Sequence, residues 1–438
     1  MKRPRYLPSY IIAGAVWGAM LGMPVAANAG FAFQDTLADL YQTDVYGFVE
    51  ARNGWRLQND PNQKDTSISE MRLQLNISSD QNWGIIKIKG DLVGDLVEEE
   101  VNPEFREGNF SFSPLSNMDV KFGRQVLTWG TGDLLFINDL FPKDWESFFI
   151  GRDDEYLKAP SDAVKISFFT QLINVDLVYN PLFTNSVYID GSRISYWNSI
   201  LGRTAGRDYI FYDDERLSYF RDSDYAMRLF RNIGSAEFAA YGYYGFWSTP
   251  EGLLPGNLLD PADDTLFYPR LAVYGMSLRG NVLGGIGNIE LGYYDSLDDQ
   301  AGDDPFVRNS EIRFLFGFEK ELARNLTGGF QYYVEYMQNY GPYELSLPPG
   351  SNAKDEFRHV TTFRFTKMLM NQNLKISLFA YVSPSDKDGY IRPKAHYKIS
   401  DQWAAEVGAN LFYGDDDHTF FGQFEDATNG HAGLRCNF

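Results

Sequence analysis

Residues 402–438 read QWAAEVGANLFYGDDDHTFFGQFEDATNGHAGLRCNF and contain two stretches in which apolar side chains recur at every second position. The intervening positions are small, polar or charged. A period of two places each set on one face of a β-strand. The sequence therefore predicts two strands, each with one apolar and one polar face. The apolar sets are Trp403, Ala405, Val407, Ala409 and Leu411 in the first strand, and Ala432, Leu434, Cys436 and Phe438 in the second.

The first 29 residues have the three parts of a secretory signal peptide. Lys2, Arg3 and Arg5 form a positive n-region, residues 11–23 are apolar, and Ala27-Asn28-Ala29 matches a cleavage site. We expect the mature chain to begin at Gly30.

The rest of the chain combines many aromatic residues with a lack of long apolar runs. The whole chain has 28 Tyr and 34 Phe, yet no stretch after the signal peptide reaches the 18 apolar residues of a transmembrane helix. A membrane β-barrel explains both facts, because lipid-facing and lumen-facing residues alternate and aromatic girdles mark the interfaces. The predicted fold class is all-β, a transmembrane antiparallel up-and-down barrel of about 18 strands, with 16 as the alternative count. The expected location is the outer membrane of a Gram-negative bacterium.

The predicted connections alternate in length, as expected for short periplasmic turns and long extracellular loops. Short turns are predicted at 79–82, 232–234, 371–373 and 400–402, and long loops at 128–160, 181–221, 248–268, 339–355 and 414–429. The expected organisation is a signal peptide (1–29), a short periplasmic segment (30–43) and a barrel (44–438).

Charged side chains on the polar strand faces must point to the lumen, because a charge facing lipid costs roughly 2–4 kcal/mol at the midplane. Several basic residues fall on strands that should be neighbours, although the whole chain carries a net charge of −20. We call this set the basic sector and predict that it lines the pore: Arg52, Arg72, Arg358, Arg364, Lys375, Arg392, Lys394, His396 and Arg435.

Acidic residues concentrate in the loops, including Asp153-Asp154-Glu155, Asp213-Asp214-Glu215 and Asp263-Asp264. The 128–160 loop is also rich in Phe and Trp, which is unusual for a solvated loop. We expect it to fold into the barrel and form a constriction opposite the basic sector. The predicted constriction acids are Asp139, Asp144 and Glu146.

Residues 122–130, FGRQVLTWG, carry the most distinctive local motif, namely Gly123, Arg124, Gln125, Trp129 and Gly130. Strict alternation places Arg124 on the lipid face, and a bulge at Gly123 could turn it inward. Here the chain resembles Gram-negative outer-membrane barrel families that share a Gly-Arg-Gln…Trp-Gly segment and, more distantly, alginate-export-type porins. The resemblance implies a porin-like pore, with Arg124 and Gln125 as candidate site residues. The terminal Phe438 also resembles the signal that outer-membrane assembly machinery recognises.

The predicted function is a channel for passive diffusion of small polar, preferentially anionic, solutes. Three alternatives stay open: a barrel sheath for a multihaem cytochrome, a hydrophobic-substrate transporter with residues 30–43 as a hatch, and an outer-membrane hydrolase involving His418. No nucleophile motif accompanies His418, so we do not predict an enzyme, a cofactor or a metal. The expected partners are membrane lipid and lipopolysaccharide, the assembly machinery, a small polar solute and, for the sheath alternative, a periplasmic protein or cytochrome. We expect no nucleic-acid partner.

Overall fold

The computed structural model describes residues 42–211, 218–254 and 265–438. The predicted signal peptide, nearly all of segment 30–43, and the acidic runs 213–215 and 263–264 lie outside the described residues. Within the described ranges, no helix is long and apolar enough to cross a membrane.

Eighteen antiparallel strands form one closed sheet. Consecutive strands pair along the chain, and the last strand pairs with the first, so the sheet has no free edge. The predicted barrel with about 18 strands is therefore confirmed. The barrel strands are β1 (Thr43–Arg56), β2 (Thr66–Gln81), β3 (Gly84–Asp95), β4 (Glu100–Leu115), β5 (Met118–Val126), β6 (Pro160–Phe168), β7 (Asn174–Asn180), β10 (Asp224–Ile233), β11 (Ala236–Phe246), β14 (Arg270–Val282), β15 (Gly285–Ser296), β16 (Glu311–Ala323), β17 (Leu326–Met337), β18 (Phe357–Leu369), β19 (Leu374–Ser383), β20 (Asp388–Lys398), β21 (Trp403–Gly414) and β22 (Asn429–Asn437).

The remaining elements lie in the long loops. Two small hairpins pair β8 (Tyr196–Asn198) with β9 (Arg203–Ala205) and β12 (Gly252–Leu254) with β13 (Thr265–Phe267). Helix α1 (Trp145–Ile150) lies between β5 and β6, and helix α2 (Tyr340–Ser346) lies between β17 and β18. The connections between strands alternate in length. Short turns such as 82–83 and 234–235 alternate with longer loops such as 127–159 and 415–428, which matches the predicted asymmetry.

Alternating burial along β16 shows how the barrel sorts its side chains. Phe314 and Phe316 are 37 % and 42 % exposed on the outside, whereas Glu311 and Leu315 are buried on the inside. The same pattern gives the barrel a band of exposed apolar residues outside and a polar, charged wall inside, as expected where the outer face contacts lipid.

The chain terminus completes the closure between β22 and β1. The Gly47 N–H donates to the Phe438 carbonyl, and the Phe438 N–H donates to the Gly47 carbonyl, both at 3.0 Å. Phe438 thus joins the closing seam of the barrel. Its role as an assembly signal remains a prediction.

Candidate functional site: the lumen and its inward loop

Residues 127–159, here called the inward loop, fold against the inner wall of the barrel as the sequence predicted. Asp144 caps helix α1 by accepting a hydrogen bond from the Ser147 N–H at 2.7 Å. Phe148, Phe149 and Ile150 of this helix are at most 2 % exposed. The rings of Phe148 and Phe149 and those of the wall form one aromatic core, which fixes the loop in the lumen.

The far end of this aromatic core belongs to β20 and β21. Phe149 lies 5.7 Å from the Tyr390 ring and 5.2 Å from the Phe412 ring. The carbonyl of Phe149 accepts hydrogen bonds from the side-chain amides of Asn410 at 2.8 Å and Asn429 at 3.0 Å. The helix is therefore held by both apolar and polar contacts.

Glu290 on β15 holds the opposite end of the inward loop. Its side chain is 1 % exposed and accepts hydrogen bonds from the backbone N–H groups of Thr131, Gly132 and Asn138. The Thr131 hydroxyl and the Asn138 amide also donate to it, each at 2.8 Å. One wall carboxylate thus satisfies five loop donors. Glu290 was not among the predicted site residues, because one inward glutamate among many gives no signal of its partners.

Ion pairs attach the middle of the inward loop to β2. The Arg152 guanidinium donates to both carboxylate oxygens of Glu70, with Nε–Oε1 at 3.0 Å and Nε–Oε2 at 3.1 Å. Arg193, from the loop after β7, also reaches Glu70 and lies 3.6 Å from the Glu146 carboxylate. Neither arginine was among the predicted site residues.

Carboxylates are interleaved with the residues of the basic sector. Arg52 contacts Glu50 at 3.0 Å and Glu406 at 2.8 Å. Arg72 contacts Asp91 at 2.5 Å and Glu104 at 2.8 Å. The wall here is a network of paired charges and is less basic than its arginines alone suggest.

The remaining members of the basic sector lie on β18–β20 and β22. Their acidic partners are Asp386 for Arg358 at 2.7 Å, Asp133 for Arg364, Asp154 for Arg392 at 2.6 Å and for Lys394 at 3.4 Å, Glu406 for His396 at 3.7 Å, and Asp153 for Arg435 at 3.0 Å. Lys375 forms no ion pair with any described residue.

The inward-loop acids that pair with the basic sector are Asp133, Asp153 and Asp154, and this corrects the expectation for Asp139, Asp144 and Glu146. Asp139 pairs with Lys143 of its own loop at 3.1 Å, Asp144 caps α1, and Glu146 faces Arg193. The physical reason is that each of these three acids has another partner: a lysine of its own loop, the N-terminus of α1, or an arginine of the loop after β7. Glu155 contacts Lys89 at 2.9 Å.

Electrostatics differ between two acids of the inward loop. Burial alone would raise the pKa of Asp154, but the attraction of Arg392 and Lys394 outweighs it and lowers that pKa to about 2. Burial raises the pKa of Glu146 to about 7, despite the opposing attraction of Arg193 and Arg152. Asp154 is thus firmly anionic at neutral pH, whereas Glu146 titrates near it.

In the FGRQVLTWG motif, the Arg124 side chain stays on the outer face of the barrel. Strand pairing continues through Gly123 on both sides of β5, so the bulge that would turn Arg124 inward is absent from this described strand. Arg124 lies near the loop end of β5 and pairs with Asp162 at 3.2 Å. A charge near the membrane interface costs little compared with one at the midplane, which explains why it is tolerated.

The other motif residues form the base of the inward loop. Gly123 and Gly130 adopt φ values of +105° and +78°, which favour glycine. Gln125 is fully buried and donates to the Ala163 carbonyl at 3.0 Å. The Trp129 ring packs 5.0 Å from Phe141. The motif therefore shapes the departure of the loop from β5.

A cavity of about 610 Å³, here called the vestibule, lies against the inward loop. Its lining is strongly aromatic and includes residues of the inward loop and of the loops that follow β7, β11 and β21. Arg308, Arg313 and Arg358 give it a polar side together with Glu251 and Glu335. Such a mixture of apolar surface and a few converging polar groups is typical of solute-binding cavities.

No group of three or more potential metal ligands occurs within the described residues. His418 lies on the loop after β21, with its ring 6.3 Å from that of Trp197.

No protein-family model and no curated protein sequence matches the chain. Solved structures do match at the level of fold. OccAB3 of Acinetobacter baumannii has a TM-score of 0.53 and 10 % identity, covering 90 % of this chain and 99 % of that one. OccD3 (OpdP) of Pseudomonas aeruginosa has a TM-score of 0.51 and 9 % identity, covering 90 % of both chains. OccK11 (OpdR) of the same organism has a TM-score of 0.50 and 10 % identity, covering 90 % of this chain and 96 % of that one.

The chain is thus an outer-membrane β-barrel of 18 strands, and it is located in the outer membrane of a Gram-negative bacterium. The closed sheet, the apolar outer band and the polar lumen define this class, and the structural neighbours share the fold.

Proposed function

We propose that the protein is a narrow porin-like channel through which small polar solutes, preferentially anions, diffuse across the outer membrane. The observation that carries the proposal is the inward loop, which places Asp153, Asp154 and Glu155 against Arg435, Arg392, Lys394 and Lys89 inside the lumen. These contact pairs fix the loop against the wall and narrow the lumen, and the field of the charges beside the remaining passage orients and selects polar solutes.

The preference for anions rests on the charges that the wall leaves unpaired. Lys87, Lys121 and Lys375 point to the lumen and form no ion pair with any described residue. Because carboxylates pair with most of the basic sector, these lysines are left available to a passing anion. The vestibule, with a volume of about 610 Å³, is the part of the proposed path that can hold a small solute.

Further assignments, on the signal peptide, the N-terminal segment, the last residue and the Gly-Arg-Gln…Trp-Gly segment, belong to the same proposal. We infer that residues 1–29 are a removed signal peptide, that residues 30–43 are a short periplasmic segment, and that Phe438 is read by the barrel assembly machinery. The Gly-Arg-Gln…Trp-Gly segment forms the base of the inward loop. We infer from it a relation to barrel families with this motif and, more distantly, to alginate-export-type porins.

The cytochrome-sheath alternative has little support, because the aromatic core of α1 occupies lumen space that a haem protein would need. The hydrophobic-transport alternative depends on residues 30–43, nearly all outside the described part of the chain. For a hydrolase, no nucleophile motif accompanies His418 in the sequence. We therefore retain the channel as the single proposal.

The test is to reconstitute the refolded mature barrel in a planar bilayer and to measure conductance and reversal potential in a salt gradient. Stable steps with an anion-favouring reversal potential support the proposal. Absence of any conductance would overturn it, and steps with a cation-favouring potential would overturn its anion preference.

A further inference from the structure

Three lysines line the inner wall on β3, β5 and β6. Lys87, Lys121 and Lys165 each lie three residues from the short-turn end of their strand. We call them the lysine cluster, and they are separate from the basic sector on β18–β22, β1 and β2. Lys121 is level with Lys165 on β6, and Lys87 lies two residues out of that register on β3. The three ammonium groups therefore lie on one side of the wall, toward the short-turn ends of the strands.

Lys121 and Lys165 are direct cross-strand partners on β5 and β6. Directly opposite residues on one sheet face have Cβ atoms about 4.5–5.5 Å apart, and like charges there destabilise the sheet. Lys87 lies two strands from Lys121, roughly 10 Å across the sheet, and the two repel each other. The fold thus maintains a repulsive arrangement that a neutral residue would relieve.

The nearby carboxylates neutralise the cluster only in part, and Glu107 attracts Lys121 while Lys87 and Lys165 repel it. Glu107 accepts from the Asn109 amide at 3.3 Å, Asp119 from the Ser113 hydroxyl at 2.5 Å, and Asp176 from the Ser167 hydroxyl at 2.5 Å. Asp176 also contacts Lys165 at 3.4 Å. Lys121 and Lys87 have no carboxylate contact among the residues described.

The cluster is open to the lumen, because Lys87 is exposed and Lys121 and Lys165 are partly exposed. Each ammonium offers three donors and no acceptor, and lysines bind phosphate as point charges. The Ser111 hydroxyl, opposite Lys121 on β4, adds a neutral donor. An oxyanion with two charges and several oxygens could bridge lysines on non-adjacent strands, which chloride cannot do.

We propose that Lys87, Lys121 and Lys165 form a binding site for a dianionic oxyanion of the phosphate type, either the free ion or a phosphorylated solute. The proposal deepens the channel function and rests on it for its physiological meaning, but binding itself can be measured without transport.

The experiment is titration calorimetry of the folded mature barrel in detergent at low ionic strength, with inorganic phosphate and with glucose 6-phosphate as probes. We expect saturable binding of at least one probe, weakened at least tenfold in Lys121→Gln and in Lys165→Gln. The matched control is Lys320→Gln, an exposed lysine at the same end of the barrel that contacts the Leu283 carbonyl at 3.0 Å. Binding equal to that of the unsubstituted protein in both cluster variants, or no saturable binding of either probe, would overturn the site.

A second readout separates binding from folding. Because Lys121→Gln removes a repulsion, we expect the variant to unfold at the same or a higher temperature than the unsubstituted barrel when no phosphate is present. A clear loss of stability would contradict the unpaired character of the cluster. Binding without conductance would reject the channel and keep the site, whereas conductance without phosphate binding would do the reverse.

Discussion

Two sectors of the same inner wall treat their charges in opposite ways. On β20–β22, β1 and β2, arginines such as Arg52 and Arg72 are nearly buried and each contacts at least two carboxylates. On β3–β6, Lys121 lies opposite Lys165, and Lys87 and Lys121 have no carboxylate contact among the described residues.

The difference follows from where the inward loop lies. Where the loop covers the wall, water is excluded, and a buried charge without a partner would destabilise the fold by roughly several kcal/mol. Where the loop does not reach, solvent screens the repulsion and lysines can remain unpaired. Paired arginines therefore hold the constriction, and unpaired lysines remain available to a solute. Four measurements test this division between paired arginines and unpaired lysines.

The largest effect is expected at Glu290, the carboxylate that satisfies five loop donors. Glu290→Gln places an amide against the donors of Asn138, and hydrogen bonds to a charged group contribute about 1.5–3 kcal/mol each. We expect a loss of roughly 2–4 kcal/mol in the free energy of unfolding, measured by urea denaturation in vesicles, together with larger and noisier conductance steps.

The control for Glu290 is Glu319→Gln, an exposed carboxylate on the inner face of β16. Glu319→Gln should change neither the free energy of unfolding nor the conductance steps appreciably. If Glu290→Gln unfolds and conducts like the control, the loop is not anchored at this end.

The next effect is a pH dependence at Glu146. Its folded pKa of about 7 lies above its ordinary value, so the stability present in acid is lost as the pH rises from about 4.5 to 7, and stays constant above. The loss should be on the order of 1–3 kcal/mol. In Glu146→Gln this part of the pH profile should be flat, as measured by thermal unfolding at a series of pH values.

Glu344→Gln, an exposed acid on α2, provides the comparison for Glu146. Its profile should follow that of the unsubstituted protein. A Glu146→Gln profile that still falls between these pH values would show that another group causes the dependence.

A smaller effect is expected from Arg392→Gln combined with Lys394→Gln. These residues hold Asp154, and their loss leaves that anion facing the pore without a partner. The reversal potential should shift toward cations, with roughly a fivefold change in the permeability ratio for ~1 kcal/mol. An unchanged reversal potential, equal to that of Lys320→Gln, would remove these residues from the selectivity mechanism.

The alternation of apolar and polar residues made the barrel predictable, since a period of two fixes faces, strand number and turn length together. The apolar character of 128–160 also predicted that this loop folds inward. Its partners could not be predicted, because Glu290, Glu70 and Arg193 lie far from it in sequence and pair through the closed barrel. Arg124 illustrates the same limit, since alternation placed it outside correctly but could not reveal that Asp162 pairs with it.

The most direct test is a thiol crosslink between the inward loop and the wall. Asp154→Cys and Lys394→Cys would be combined in a Cys436→Ser background, with Asp154→Cys and Lys320→Cys as the matched pair on opposite faces of the wall. Because the Lys394 side chain spans most of the distance to Asp154, direct disulfide geometry is not required, and a short bis-methanethiosulfonate reagent joins the two thiols. We expect crosslinking of the first pair, seen as a mobility shift that reducing agent reverses, and none of the second. Failure of the first pair to crosslink in the folded barrel would contradict the position of the loop, and with it the division between paired and unpaired charges.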